Sequence, residues 1–99
     1  MTRVVHCKKE DFDVYIGRPS IWGNPFKIEN GCTREQSISK YKKYLLENFW
    51  LVEMAREQLK DKVLGCWCRP QACHGDVLAE ICNCKDLNEW REKNVKSLH

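Results

Sequence analysis

A chain of 99 residues is long enough for one domain with a single modest core and too short for two. Its formal charge of +3 is too mild to mark a nucleic-acid binder by itself, and it suits an anionic small ligand. No apolar run is long enough for a signal peptide or a membrane span, so a cytoplasmic, reducing setting without membrane contact is expected. Seven cysteines, an odd number in such a setting, argue against a disulfide scaffold; metal binding, a reactive thiol or simple burial remain.

Arg3-Val4-Val5-His6-Cys7 is a short β-prone run, and Asp13-Val14-Tyr15-Ile16-Gly17 is a second strand rich in β-branched and aromatic residues. Arg18-Pro19-Ser20 ends it. The segment Ile21-Trp22-Gly23-Asn24-Pro25-Phe26 suits neither a helix nor a regular strand, which predicts an ordered loop stapled down by Trp22 and Phe26. Glu29-Asn30-Gly31 is a turn signal, with an Asn-Gly pair able to close a hairpin. Thr33 and Gln36 then match a capping box, and behind them Ile38, Tyr41, Leu45 and Phe49 fall on one helical face. Leu51, Val52, Ala55 and Leu59 resume the pattern, which predicts two helices separated near Asn48 to Trp50. Asp86-Leu87-Asn88-Glu89 repeats the capping logic before a short last helix with Leu87 and Trp90 as its apolar contacts. The tail from Asn94 to His99 is expected to fray.

The rest of the chain is organised around Lys62 to Ile81. Val63 to Cys68 is an apolar, uncharged run that predicts a central strand buried on both faces, with Trp67 opposite Cys66 and Cys68. A loop dense in Cys and His follows, and Val77, Leu78 and Ile81 recur at helical spacing beyond Gly75 and Asp76. The order β-β-α-α-β-α-α predicts an α/β fold: a small, at least partly parallel sheet of about three strands with helices packed on it. One domain is expected, its motif-bearing core spanning about residues 14–83, with a short C-terminal helix and tail at about 86–99.

Three chemistries compete for this loop. Cys66, Cys68, Cys73 and His74 could close a tetrahedral zinc site, although the CxC spacing and the adjacent Cys-His pair are not those of common zinc fingers. Cys73 or Cys68 could be a reactive thiolate beside His74 and Arg69, which makes Cys73 and His74 the catalytic candidates. Thirdly, the backbone around Gly75 and Asp76 could receive an anion. Arg18, Asn24 and Cys68 would then line the cleft, and Trp22 or Phe26 would form one wall. The plainer readings are that Trp22, Phe26 and Trp67 belong to the core, that Arg18 is solvated, and that Lys40, Lys42 and Lys43 are a wet helix face. Those lysines are the first candidates if nucleic acid is the partner.

The blocks VYIGRPSIWGNPF and LGCWCRPQACHGDVLAE resemble those of a family of small bacterial and phage domains catalogued as a domain of unknown function. The likeness runs from about Val14 to Ile81, with Thr33-Arg34-Glu35 and Tyr41 fitting between the blocks, and the segment joining Arg18-Pro19 to Trp22 is short here. The resemblance implies the domain type and carries no activity. The leading expectation is therefore a domain that binds a nucleotide-like or other anionic ligand between the two blocks, with hydrolysis as an extension. The alternative is a zinc-stabilised interaction module, for example a phage protein engaging a host protein in the host cytoplasm.

Overall fold

A computed structural model describes residues 1–29 and 31–97 of the chain. The elements, in order, are β1 (Arg3–His6), β2 (Val14–Tyr15), α1 (Arg34–Glu47), α2 (Phe49–Leu59), β3 (Val63–Cys66), α3 (Gly75–Asn83) and α4 (Leu87–Ser97). The sheet has the order β1-β3-β2, and β3 runs parallel to both neighbours. This is an α/β fold with helices packed on a three-stranded parallel sheet, and β3 holds the centre as its uninterrupted apolar run predicts.

Register decides which side chains meet. Val4 and Val14 lie beside Leu64, whereas Val5 and Tyr15 lie beside Gly65. Side chains alternate across a strand, so Leu64 and Cys66 share the face that the helices cover. There they join Ile16 and side chains of all four helices, including Tyr41, Leu45, Val52, Leu78 and Trp90, in one core. Gly75 lets α3 approach closely: a Cβ on it would sit 2.7 Å from Ile16 Cδ1 and 3.1 Å from both Val4 methyls.

The opposite face corrects one expectation. On the Gly65 side the segment returning from β1 to β2 lays the Phe12 ring over Gly65, where an added Cβ would meet the ring at 2.6 Å. The strand stops at Cys66, and Trp67 is 55% exposed rather than buried. It lies edge-on to His6, with Lys8 Nζ 5.5 Å from its ring centroid and its Nε1–H donating to Tyr15 Oη at 2.7 Å. β3 itself is covered on both faces from Leu64 to Cys66, as expected; it is Trp67, one residue past its end, that is not.

Helix ends follow local chemistry. Thr33 and Gln36 form the reciprocal capping box, and Asn48 separates α1 from α2. Asp86 Oδ1 accepts from Asn88 N at the start of α4. That helix continues to Ser97, with Asn94 buried, so the expected fraying from Asn94 onward does not hold as far as Ser97. Glu29 and Cys32 form an antiparallel bridge around Gly31, whose φ is +83°; Asn30 of this turn lies outside the described residues.

Gly75→Ala should lower stability by about 1–3 kcal/mol, the usual cost of overpacking a filled core. The urea midpoint measures it, and an unchanged midpoint would mean that the α3–sheet contact has slack.

Candidate functional site

Parallel strands place their carboxyl ends on one edge of the sheet, and loops leaving that edge are where α/β folds hold ligands. Here the loop after β2 and the loop after β3 meet directly. His74, at the start of α3, bonds through Nε2 to the Ile16 carbonyl at 2.7 Å. A carbonyl only accepts, so Nε2 carries the proton and Nδ1 keeps the ring's lone pair. Burial lowers the His74 pKa; the Ile16 bond opposes this and the Arg18 charge adds to it, so the ring is neutral at pH 7.

Tyr41 of α1 ties the same two loops from behind. Its hydroxyl donates to the Trp22 carbonyl at 2.8 Å, and its ring meets that of His74 edge-on at 5.1 Å. Asn24 pins the first loop to α1 by donating to Ser37 Oγ at 2.9 Å, while its own Oδ1 accepts from Phe26 N at 2.9 Å. Ser37 Oγ in turn donates to the Phe26 carbonyl. Gly23 packs against the Arg18 backbone, where a Cβ would lie 3.0 Å from Arg18 Cα. The second loop is clamped by Arg69, which pairs with Asp76 and donates to the Val4 carbonyl at 3.3 Å. Asp76 also accepts from Cys73 N at 3.1 Å.

Between the loops lies a cavity of about 130 Å³. Its walls include Arg18, Asn24, Phe26 and Ile28 from the first loop, Arg34, Ser37 and Ile38 from α1, and Cys66, Trp67, Cys68, Ala72, Cys73 and His74 from the second. Two guanidinium groups and no carboxylate line it. Arg34 donates to the Ala72 carbonyl at 3.0 Å and to Gln71 Oε1 at 2.7 Å. Arg18 is exposed, and among the described residues no carboxylate lies within ion-pair distance of it.

Cys66 and Cys73 form the floor, with their sulfurs 3.2 Å apart. The hydrogen bond from Cys73 is the main cause of a Cys66 pKa lowered to about 6. Backbone N–H groups of Cys68 and Arg69, and the Arg69 charge, act in the same sense against burial. Cys73 shifts the other way, through the same hydrogen bond and its burial. Of the two sulfurs, Cys66 is the one these surroundings favour as thiolate.

Residues 2–84 match the family described as Domain of unknown function (DUF4326). The chain belongs to that family. It is 40% identical over 86 residues to an uncharacterised 12.4 kDa protein in the nrdA-td intergenic region of Enterobacteria phage T4, covering 84% of this chain and 79% of that one. It is 28% identical over 107 residues to an uncharacterised protein of Acanthamoeba polyphaga mimivirus, covering 90% and 81%. No solved structure matches the chain.

Within this DUF4326 chain, the residues singled out from sequence divide into two groups. Arg18, Asn24, Cys66, Cys68, Cys73 and His74 converge on the cleft, and Phe26 forms one wall. Trp22, Gly75 and Asp76 do not line it. Trp22 is 4% exposed and sits in the core, Gly75 lies under Ile16 and Val4, and Asp76 faces Arg69. The anion expected at the start of α3 is thus supplied by the chain itself. Both polar ends of the Asn24 amide are already bonded within the fold. Among the described residues, no three His, Cys, Asp or Glu side chains gather as a metal-holding group. Sequence reasoning passed over Arg34 and brought Cys66 and Cys73 together only as zinc ligands. Arg34 fits the family pattern, but nothing in its spacing shows that a helix N-terminal residue reaches a loop 37 positions away.

Loss of the His74 bond leaves a buried carbonyl unpaired, so His74→Ala should cost about 1–3 kcal/mol. The folded-state pKa lies below the unfolded value of 6.5, so the unfolded chain takes up the proton first. The stabilisation by neutral His74 is full above that value and fades as the pH falls through it. The stability gap between wild type and His74→Ala, from urea titrations, should narrow between about pH 7.5 and about pH 5.5. A gap independent of pH would contradict the buried neutral imidazole.

Proposed function

We propose that the cleft binds a small anionic ligand, of the phosphate-bearing or nucleotide-like class. The observation that carries this reading is the pairing of Arg18, which among the described residues has no carboxylate partner, with Arg34 on a cavity lined by no carboxylate. A guanidinium offers a fixed charge and a planar donor fork that match phosphate and carboxylate oxygens. Phe26, Ile28 and Ile38 supply an apolar wall for a base or sugar. Sites for drug-sized ligands are commonly about 300–1,000 Å³, so a cavity of about 130 Å³ admits the anionic head of a nucleotide and leaves the remainder outside.

Hydrolysis is an extension of the same reading. His74 Nδ1, unprotonated at neutral pH, is the base available to a water in the cleft. The alternative, a zinc-stabilised module that engages a host protein, would need Cys66, Cys68, Cys73 and His74 to face one ion. The close Cys66–Cys73 contact favours it, whereas the His74 bond to Ile16 would have to open or leave Nδ1 as the ligand atom. Metal analysis of the purified chain separates the two.

Calorimetric titration with inorganic phosphate and with nucleoside monophosphates tests the proposal, with uncharged nucleosides as the control. Binding should require the charge. Arg18→Ala should weaken it by about 1.5–3 kcal/mol, the worth of a hydrogen bond to a charged group, or roughly 10- to 150-fold. Its urea midpoint should stay unchanged. Equal affinity for charged and uncharged ligands, or an Arg18→Ala variant that binds normally, would refute the assignment.

A further inference from the structure

Among the described residues, Cys66 and Cys73 are the one pair of cysteines in sulfur–sulfur contact, at 3.2 Å. Both are at most 2% exposed, yet both form part of the cleft wall. Two independent elements fix them: Cys66 ends the central strand beside His6, and Cys73 precedes the first turn of α3 with its N–H bonded to Asp76. The intervening loop is clamped by Arg69 from within and by Arg34 from α1. A buried thiol pair that served only as core would gain nothing from facing the cavity that holds the arginines. At 3.2 Å the sulfurs stand about 1 Å beyond the roughly 2.05 Å of a disulfide.

We propose that Cys66 and Cys73 form a peroxide-reactive dithiol site, with Cys66 as the attacking sulfur and Cys73 as the resolving one. The oxidant is a small hydroperoxide. A cavity of about 130 Å³ has room for a small hydroperoxide beside thiols this deeply set. In the first step the Cys66 sulfur attacks the terminal peroxide oxygen; an S–O bond forms, the O–O bond breaks, and the alcohol or water leaves with a proton. In the second, the Cys73 sulfur attacks Cys66; an S–S bond forms and the S–O bond breaks. The departing hydroxide takes the Cys73 proton as water. Two thiols and one hydroperoxide thus give one disulfide, one alcohol (or water) and one water. The sulfurs lose the two electrons that the peroxide gains.

The Asp76 carboxylate, 3.1 Å from Cys73 N, disfavours a thiolate at Cys73, whereas the Arg69 charge and the backbone N–H groups of Cys68 and Arg69 favour one at Cys66, which sets the order of attack. Cys68, the third thiol of the cleft, is half-buried and touches neither sulfur within hydrogen-bonding distance. The site is independent of the anion-binding reading, because it uses no contact to Arg18.

The test exposes the reduced, full-length chain to equimolar hydrogen peroxide, then alkylates and maps it by mass spectrometry. The expected product has a Cys66–Cys73 cross-link, two free thiols fewer, and full recovery with dithiothreitol. Cys73→Ser should stop at a Cys66 sulfenic acid that dimedone traps, and Cys66→Ser should leave Cys73 unoxidised under the same exposure. The proposal is overturned if wild type keeps both thiols free to alkylate, or if the first cross-link joins Cys7, Cys68 or Cys84. The wild-type map decides the matter whether or not either variant folds. The phosphate titration is a separate readout, so failure of one leaves the other standing.

Discussion

Everything at the candidate site depends on β2 pairing parallel to β3. Only Val14 and Tyr15 form the short strand, yet this register brings Ile16 under α3 and points the chain's two motif blocks off the same edge. The pairing is held at both ends: Asp13 N donates to the Val63 carbonyl and Asp13 Oδ2 accepts from Val63 N, each at 2.8 Å, and Ile16 N donates to the Gly65 carbonyl at 3.0 Å. The His74 bond to the Ile16 carbonyl then joins strand end to helix start. A ladder this short is stabilised mainly by what covers it, and Ile16 is fully buried. An antiparallel β2 would send Arg18 to the far edge, and the cleft would not exist.

Much of the two blocks is scaffold. Tyr15 folds over Gly17, where a Cβ would clash with its ring; Gly23 admits the Arg18 backbone; Asn24 fastens its loop to α1; Arg69 and Asp76 clamp the other loop. These roles use up the groups that a reading from composition assigns to ligand. What remains at the cleft is small and chemically coherent: the Arg18 guanidinium, the Nδ1 of His74 and the paired sulfurs of Cys66 and Cys73, which also pack into the core.

The element order was readable because each signal is local. Thr33 and Gln36 cap the helix that their spacing marks, Asn48 divides the two helices, and the Val63–Cys66 run finds the sheet centre. Convergence of Arg18 with Cys73 and His74 followed from one topological inference, that a long helical crossover returns the next strand parallel. The misreadings share a different cause. Trp22 and Trp67 stand in sequence as loop and strand tryptophans, but one is sealed by Tyr41 and α1 while the other lies past the end of β3, edge-on to His6. Asp76 signals an anion-receptive helix start; that Arg69 would turn back to meet it depends on loop geometry that seven positions of sequence do not specify. Such pairings are tertiary facts, set by which face is covered and by what lies across the cleft.

Amide chemical-shift mapping of the isotope-labelled chain during a titration with inorganic phosphate tests the central claim most directly, because it reports where an anion sits without presuming chemistry. The structure predicts the largest shifts at Gly17, Arg18, Arg34 and Ala72 to His74, residues up to 57 positions apart that share one wall of one cavity. Shifts gathered instead on Lys40, Lys42 and Lys43 of α1, or confined to only one of the two loops, would contradict a shared anion site at the carboxyl edge of the sheet.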